Sequence, residues 1–189
     1  MVWLTRPQRN PDLATIRAAA DGDSDAFEAL VRRYAPQMSR LAATIVGPED
    51  AEDVAQEVFV RAYQALPAFR GDSAFRTWLY RIAVNVSRSY RSHWWRRSAV
   101  WGDSGADETT AFDPEDASDF EAAWLTRDAV ERALGSLPEH LRIAVVLRDL
   151  HGLEYREIAE TTGVPIGTVE SRIFRARRRL RRALEPVGG

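Results

Sequence analysis

The stretch Leu153–Arg182, LEYREIAETTGVPIGTVESRIFRARRRLRR, predicts two short helices, a tight turn between them and a closing run of arginines. The first helix is expected over Tyr155–Thr161. Gly163 supplies the positive φ that the turn requires, and Pro165 suits the opening of the second helix, where its missing N–H would have no partner anyway. Val169, Ile173, Ala176 and Leu180 then recur at steps of three and four, an apolar stripe against which Ile158, Ala159 and Val164 can pack. The opposite face carries Thr168, Ser171, Arg172, Arg175 and Arg179. One face holds the helix and the other is free to meet base edges and phosphates, the layout of a helix-turn-helix. Such a face is often merely solvated, but Arg172, Arg175, Arg177, Arg178, Arg179, Arg181 and Arg182 have no acid among them to neutralise the field. A field of one sign suits a polyanion.

Working outward, 189 residues with 45% hydrophobic and 29% charged content describe a folded chain of one or two domains. The net charge of −2 conceals a segregated distribution, and so does not argue for or against nucleic acid. Every basic residue is arginine; codon bias accounts for that as well as bidentate phosphate recognition does. With no cysteine, disulfides, thiolate metal sites and thiol switches are excluded. The N-terminal MVWLTRPQRNPDL lacks the apolar core of a signal peptide, and no segment is long enough to span a bilayer, so a cytoplasmic protein is expected. His93, His140 and His151 lie in unrelated contexts, with no metal-ligand spacing and no nucleophile beside a base, which argues against an enzyme and against a cofactor.

Upstream, a short helix is expected over Pro11–Ala20, then one capped by Ser24 whose residues Phe27, Leu30, Val31, Tyr34, Met38, Leu41 and Ile45 keep helical spacing, with a kink at Pro36. Pro48 should open a third helix, with Val54, Ala55, Val58, Ala62 and Leu66 inward. Glu49 and Asp50 compensate its macrodipole, whereas Asp53, Gln56 and Glu57 lie further along one polar face and suit docking to a basic partner. LPAFRGDS, Leu66–Ser73, is a loop in which Asp72 or Ser73 can cap the next helix and Phe69 is either a lid on the core or a stacking surface. That helix, Ala74–Ser92, buries Phe75, Trp78, Leu79, Ile82, Ala83, Val86 and Tyr90, and shows Thr77, Arg81, Asn85 and Arg88 on its other face. No acid occurs from Phe75 to Trp101, and rings beside arginines suit single-stranded nucleic acid, although Trp78 is as well placed for the core. Trp94, Trp95 and Trp101 admit several roles. Gly102–Glu121 is acidic and lacks basic residues, as a flexible tether would be. Helical spacing resumes at Phe120, Trp124, Arg127, Val130 and Leu134 up to Gly135, and PEHLRIAVVLRDL forms a helix from Pro138 to Gly152. The expectation is an all-α chain of two small helical domains on a flexible acidic linker.

PEDAEDVAQEVFVRAYQAL with FRGDSAFRTWLYRIAVN, followed by SLPEHLRIAVVLRDLHGLEYREIAE with GTVESRIFRAR, closely resembles the extracytoplasmic-function (ECF) group of bacterial RNA polymerase sigma factors. The two blocks stand in the right order and separation. The resemblance implies a tail at 1–10, region 2 at 11–98, a linker at 99–119 that threads the polymerase cleft, and region 4 at 120–185. It implies docking of Asp53, Gln56 and Glu57 on the core polymerase clamp. Phe69, Arg70, Asp72 and Ser73 then match the pocket for a flipped non-template base of the −10 element, joined by Thr77, Trp78, Arg81, Asn85 and Arg88 on the adjoining helix. In region 4 it implies −35 recognition in duplex DNA by Thr168, Glu170, Ser171, Arg172, Phe174, Arg175 and Arg179, and contact with the polymerase flap. Glu170 departs from the basic residue that relatives often carry, which leaves the −35 preference open. An anti-sigma partner is also implied. The competing expectation is an autonomous helix-turn-helix regulator of duplex DNA.

Overall fold

The computed structural model describes residues 12–97 and 127–184. Within them the chain is helical, with no strand. The first domain comprises α1 (Leu13–Ala20), α2 (Ser24–Val46), α3 (Ala51–Ala65), a 3₁₀ turn at Leu66–Ala68 and α4 (Phe75–Arg97). The second comprises α5 (Arg127–Gly135), α6 (Glu139–Val145), a π-helical turn continuing it over Val146–Leu150, α7 (Tyr155–Thr162) and α8 (Ile166–Leu184). The tether and Trp101 lie outside the described residues, as does the expected helical start at Phe120 and Trp124.

The long helix α2 is the spine of the first domain. Its cap is Asp23 rather than Ser24: the Asp23 carboxylate accepts the N–H groups of Asp25 and Ala26 at 2.9 and 3.0 Å. Both residues are capping types, and Asp23 wins because its extended backbone aims its side chain at the open end of the helix. Leu30, Tyr34, Met38, Leu41, Ala42 and Ile45 form the buried stripe, packed against α3 and α4. Pro36 lies inside the helix without ending it. The Pro36 carbonyl also accepts a side-chain donor, Arg40 Nε at 3.0 Å. α3 begins at Ala51, after a turn, rather than at Pro48.

The second domain is built around α6. Leu141 to Leu147 are buried without interruption, as in a helix enclosed by neighbours; all are apolar except Arg142, which is 8% exposed. It packs on α8 from one side and on α2 of the first domain from the other. The helix-turn-helix forms as its sequence predicts: Gly163 closes α7 in the left-handed conformation at φ +72°, and Val169, Ile173 and Ala176 are buried. A capping box starts α7, with Glu157 Oε2 accepting the Glu154 N–H at 2.9 Å.

The two domains touch. α4 packs along α7, and buried residues of both domains join in one apolar cluster.

Candidate nucleic-acid interface

α3 presents one candidate surface. Asp53 and Gln56 are exposed and Glu57 is half-buried, paired with Arg61 at 2.7 Å across one helical turn. The same face continues into two large apolar residues, Val60 at 50% and Tyr63 at 49% exposure, which the sequence reading passed over. The signal was available: positions 53, 56, 57, 60 and 63 share helical spacing with one another and not with the buried stripe Val54, Ala55, Val58, Phe59 and Ala62. An acidic face with an apolar continuation has the make-up of a protein-docking surface.

The second surface gathers the loop after α3 and the start of α4. Phe69, Phe75 and Trp78 form a ring cluster, with centroids 5.0 Å apart for Phe69 and Trp78, 5.4 Å for Phe75 and Trp78, and 5.8 Å for Phe69 and Phe75. Trp78 is 8% exposed and belongs to the core; Phe69 is half-buried, its ring both lid and wall. The rings of Phe69 and Trp78, with Arg70, Asp72, Ser73, Thr77 and Arg81, line an open cavity of about 450 Å³. Arg70 and Asp72 pair at 3.4 Å on its exposed rim. Arg81 and Asn85 are exposed further along α4. Thr77, expected on the open face, is only 3% exposed, because its hydroxyl donates to Glu157 on α7. Arg88 is half-buried and faces Glu139, its Nε 3.2 Å from Oε1.

The third surface is the outer face of α8. Thr168, Glu170, Ser171, Arg172, Phe174 and Arg175 are half-buried and Arg179 is exposed, around the part of α8 not occupied by the buried Val169, Ile173 and Ala176. The Ser171 hydroxyl donates to the Thr168 carbonyl at 2.9 Å, leaving its oxygen as an acceptor. Arg177 of the run is paired after all: it binds Asp149, Nη2 to Oδ1 at 2.6 Å and Nε to Oδ2 at 3.2 Å. Asp149, 28 residues back in the chain, lies beyond any i,i+4 rule. The pair ties α8 to the turn after α6 and raises the Arg177 pKa through its hydrogen bond.

No group of three or more His, Asp or Glu among the described residues has the geometry of a metal site, and no described helix is long and apolar enough to cross a membrane.

Family models match both halves. Sigma-70 region 2 matches residues 30–96, and sigma-70 region 4 matches 127–180. The ECF RNA polymerase sigma-E factor of Escherichia coli strain K12 is 43% identical over 183 residues, covering 93% of this chain and 95% of that protein. The chain belongs to the ECF sigma factors of the sigma-70 family. The sigma-E factor of Haemophilus influenzae is 38% identical, covering 93% of this sigma factor and 96% of its own length. Among solved structures, CnrH in complex with the cytosolic domain of CnrY aligns with a TM-score of 0.68 at 28% identity, covering 94% of this sigma factor and 99% of that chain. The fold is shared with the sigma factor RpoE in complex with the anti-sigma factor NepR from Bartonella quintana, at a TM-score of 0.67 and 24% identity, over 86% of this chain and 98% of the other. This sigma factor is accordingly a transcription initiation factor, with one helical domain matching sigma-70 region 2 and one matching region 4.

Proposed function

We propose that this ECF sigma factor lends core RNA polymerase its promoter specificity by dividing three tasks among its three surfaces. Asp53, Gln56 and Glu57, with Val60 and Tyr63 as an apolar continuation, dock on the polymerase clamp. The cavity bounded by Phe69, Arg70, Asp72, Ser73, Thr77 and Trp78 takes a base extruded from the −10 element, and Arg81, Asn85 and Arg88 follow the opened strand. Extrusion costs a few kcal/mol, an amount that stacking and hydrogen bonding within a pocket can offset. Thr168, Glu170, Ser171, Arg172, Phe174, Arg175 and Arg179 read the −35 element as a duplex from the major groove. An acid at Glu170 is suited to accept from a cytosine N4 rather than to hold a phosphate.

The observation that supports this reading over that of an autonomous duplex regulator is the ring-walled cavity beside α4. A protein that reads only duplex DNA through α8 has no use for it. Because the solved relatives were captured with CnrY and with NepR, the latter an anti-sigma factor, we extend an anti-sigma partner to this chain as well. The test is to mix the purified protein with core polymerase and a genomic promoter library. Promoter-specific transcripts are the expected result; tight binding of intact duplex by the free protein, with no transcripts, overturns the reading.

A further inference from the structure

A second cavity, of about 580 Å³, lies between α2, the start of α4 and the end of the π-helical turn after α6. It is separate from the one walled by Phe69 and Trp78: the hydrogen bond from Thr77 to Glu157 runs between them, Thr77 lining that cavity and Glu157 this one. Its lining is cationic. Three guanidinium groups, those of Arg33, Arg40 and Arg76, share it with a single carboxylate, Glu157. Both oxygens of that carboxylate already accept, from the Thr77 hydroxyl and from the Glu154 N–H. Arg33 is tied to Asp12, but Arg40 and Arg76 hold only neutral partners: Arg40 Nε donates to the Pro36 carbonyl and Arg76 Nη2 to the His151 carbonyl. Hydrogen-bonding capacity is left over as well as charge. Arg76 Nε is buried with no partner, and so is Nε2 of His151, whose Nδ1 lies 2.9 Å from the Tyr80 hydroxyl. Leaving a buried polar atom unpaired is costly, so two such atoms beside two guanidinium groups without an acid mark a place that lacks an acceptor and a negative charge together. His151 registers the same field. Burial first, and then the charges of Arg40 and Arg76, hold its pKa down to about 4, so at neutral pH it adds no charge of its own.

We propose that this crevice binds a phosphoryl dianion, either inorganic phosphate or the terminal group of a small phosphate monoester, between the guanidinium groups of Arg40 and Arg76. A guanidinium offers paired N–H groups in the plane that matches two phosphate oxygens, and two such groups balance the charge of a dianion. The floor is formed by Tyr34 and Tyr80, which are buried, and the rim by Arg33 and Arg40, which are exposed, so an entering anion meets arginine first. The volume exceeds what one phosphate fills and lies in the range of small-molecule sites, which leaves room for the organic part of an ester. Three elements wall the space, a shape that suits a compact anion better than a continuous strand. None of Arg33, Arg40, Arg76 and His151 belongs to the three surfaces assigned above, so the site stands apart from that assignment. The bound anion touches α2, α4 and the turn after α6 at once, and by mass action stabilises the fold that brings them together. A small phosphorylated metabolite could thus act on this sigma factor without touching its DNA-reading residues.

The test is calorimetric titration of the full-length protein at fixed ionic strength with sodium phosphate, with adenosine monophosphate and with a single-stranded oligonucleotide, against a sodium chloride blank. Saturable binding of phosphate, of the monophosphate or of both is expected, and the tighter of the two identifies the source of the phosphoryl group. Arg40→Gln should weaken that binding about tenfold. Arg40 is exposed and its one partner is a backbone carbonyl of its own helix, so this change leaves the fold in place. Arg76→Lys keeps the charge but loses the fork, and should also weaken binding; should that variant fail to fold, Arg40→Gln carries the test alone. Arg32→Gln removes an exposed arginine of the same helix that does not line the cavity, and should leave the affinity unchanged. In a proton–nitrogen spectrum of the three histidine rings, the signal that is missing from His151→Gln should be the one that moves when phosphate is added. Absence of saturable binding by either small anion overturns the site. So does a loss in Arg32→Gln equal to that in Arg40→Gln, which marks diffuse surface charge. Oligonucleotide binding that depends on Arg40 and is not displaced by phosphate overturns it too, and makes the crevice part of the nucleic-acid path instead.

Discussion

The Thr77 hydroxyl on α4 donates to Oε1 of Glu157 on α7 at 2.9 Å, while Oε2 of the same carboxylate accepts the Glu154 N–H that opens α7. One side chain thus starts a helix of the second domain and fastens that helix to the first. Local structure and domain packing are not separable at this point: the residue that satisfies an orphan donor of α7 also satisfies a buried hydroxyl of α4.

Reversal of charge on α3 should weaken assembly with polymerase. Glu57→Arg replaces the acid of the docking face and sets two arginines one turn apart, since Arg61 is its partner at 2.7 Å. We expect core polymerase affinity to fall about tenfold or more, with thermal stability changed by under about 1 kcal/mol because the lost pair is exposed. A polymerase titration of the two proteins checks both.

Loss of a guanidinium from α8 should separate −35 recognition from assembly. Arg175→Ala is expected to abolish transcription from promoters that depend on the −35 element while holoenzyme still forms, at a cost of about 1–3 kcal/mol in duplex binding. Transcription assays on promoters with and without the −35 element measure this directly.

Acid should loosen the contact between the domains. Burial, and then the charges of Arg40 and Arg76, push His151 from 6.5 down to about 4. The packed state therefore binds fewer protons than a state with His151 in water, so its stability is full above about pH 6.5 and declines as pH falls toward 4. The slope reaches at most about 1.4 kcal/mol per pH unit. Urea midpoints measured across that range should fall more steeply for the unaltered protein than for His151→Gln.

Two glycines of the helix-turn-helix should respond with opposite signs. Gly163 has φ +72° with open space where a Cβ would stand, so Gly163→Ala costs about 1 kcal/mol through backbone strain alone. Gly167 lies within α8 without positive φ and with equal room, so Gly167→Ala should stabilise by about 0.5–1 kcal/mol. Chemical denaturation of the two variants gives the comparison.

Periodicity carried most of the secondary structure. The stripes of α2, α3, α4 and α8 are repeats of three and four that any burial of one helix face imposes, and Gly163 could be read because a left-handed turn admits few other residues. Helix ends were less legible. Asp23 and Ser24 are adjacent and both can cap, and the choice depends on a backbone angle that composition does not encode. Pro36 removes one hydrogen bond but does not decide whether packing holds the helix together, and here the stripe from Leu30 to Ile45 does.

Sequence by itself determined the two helical domains, the helix-turn-helix, the acid-free face of α4 and the acidic face of α3, because each depends on residues close together in the chain. Tertiary structure alone decided which polar groups are spoken for. Arg177 finds Asp149, Thr77 finds Glu157, Arg88 finds Glu139, and Trp78 turns into the ring cluster. The physical reason is range: helical spacing is a rule over four residues, whereas these partners stand 28, 80 and 51 positions apart and meet only in the folded chain, the first pair within the second domain and the other two where the domains pack together.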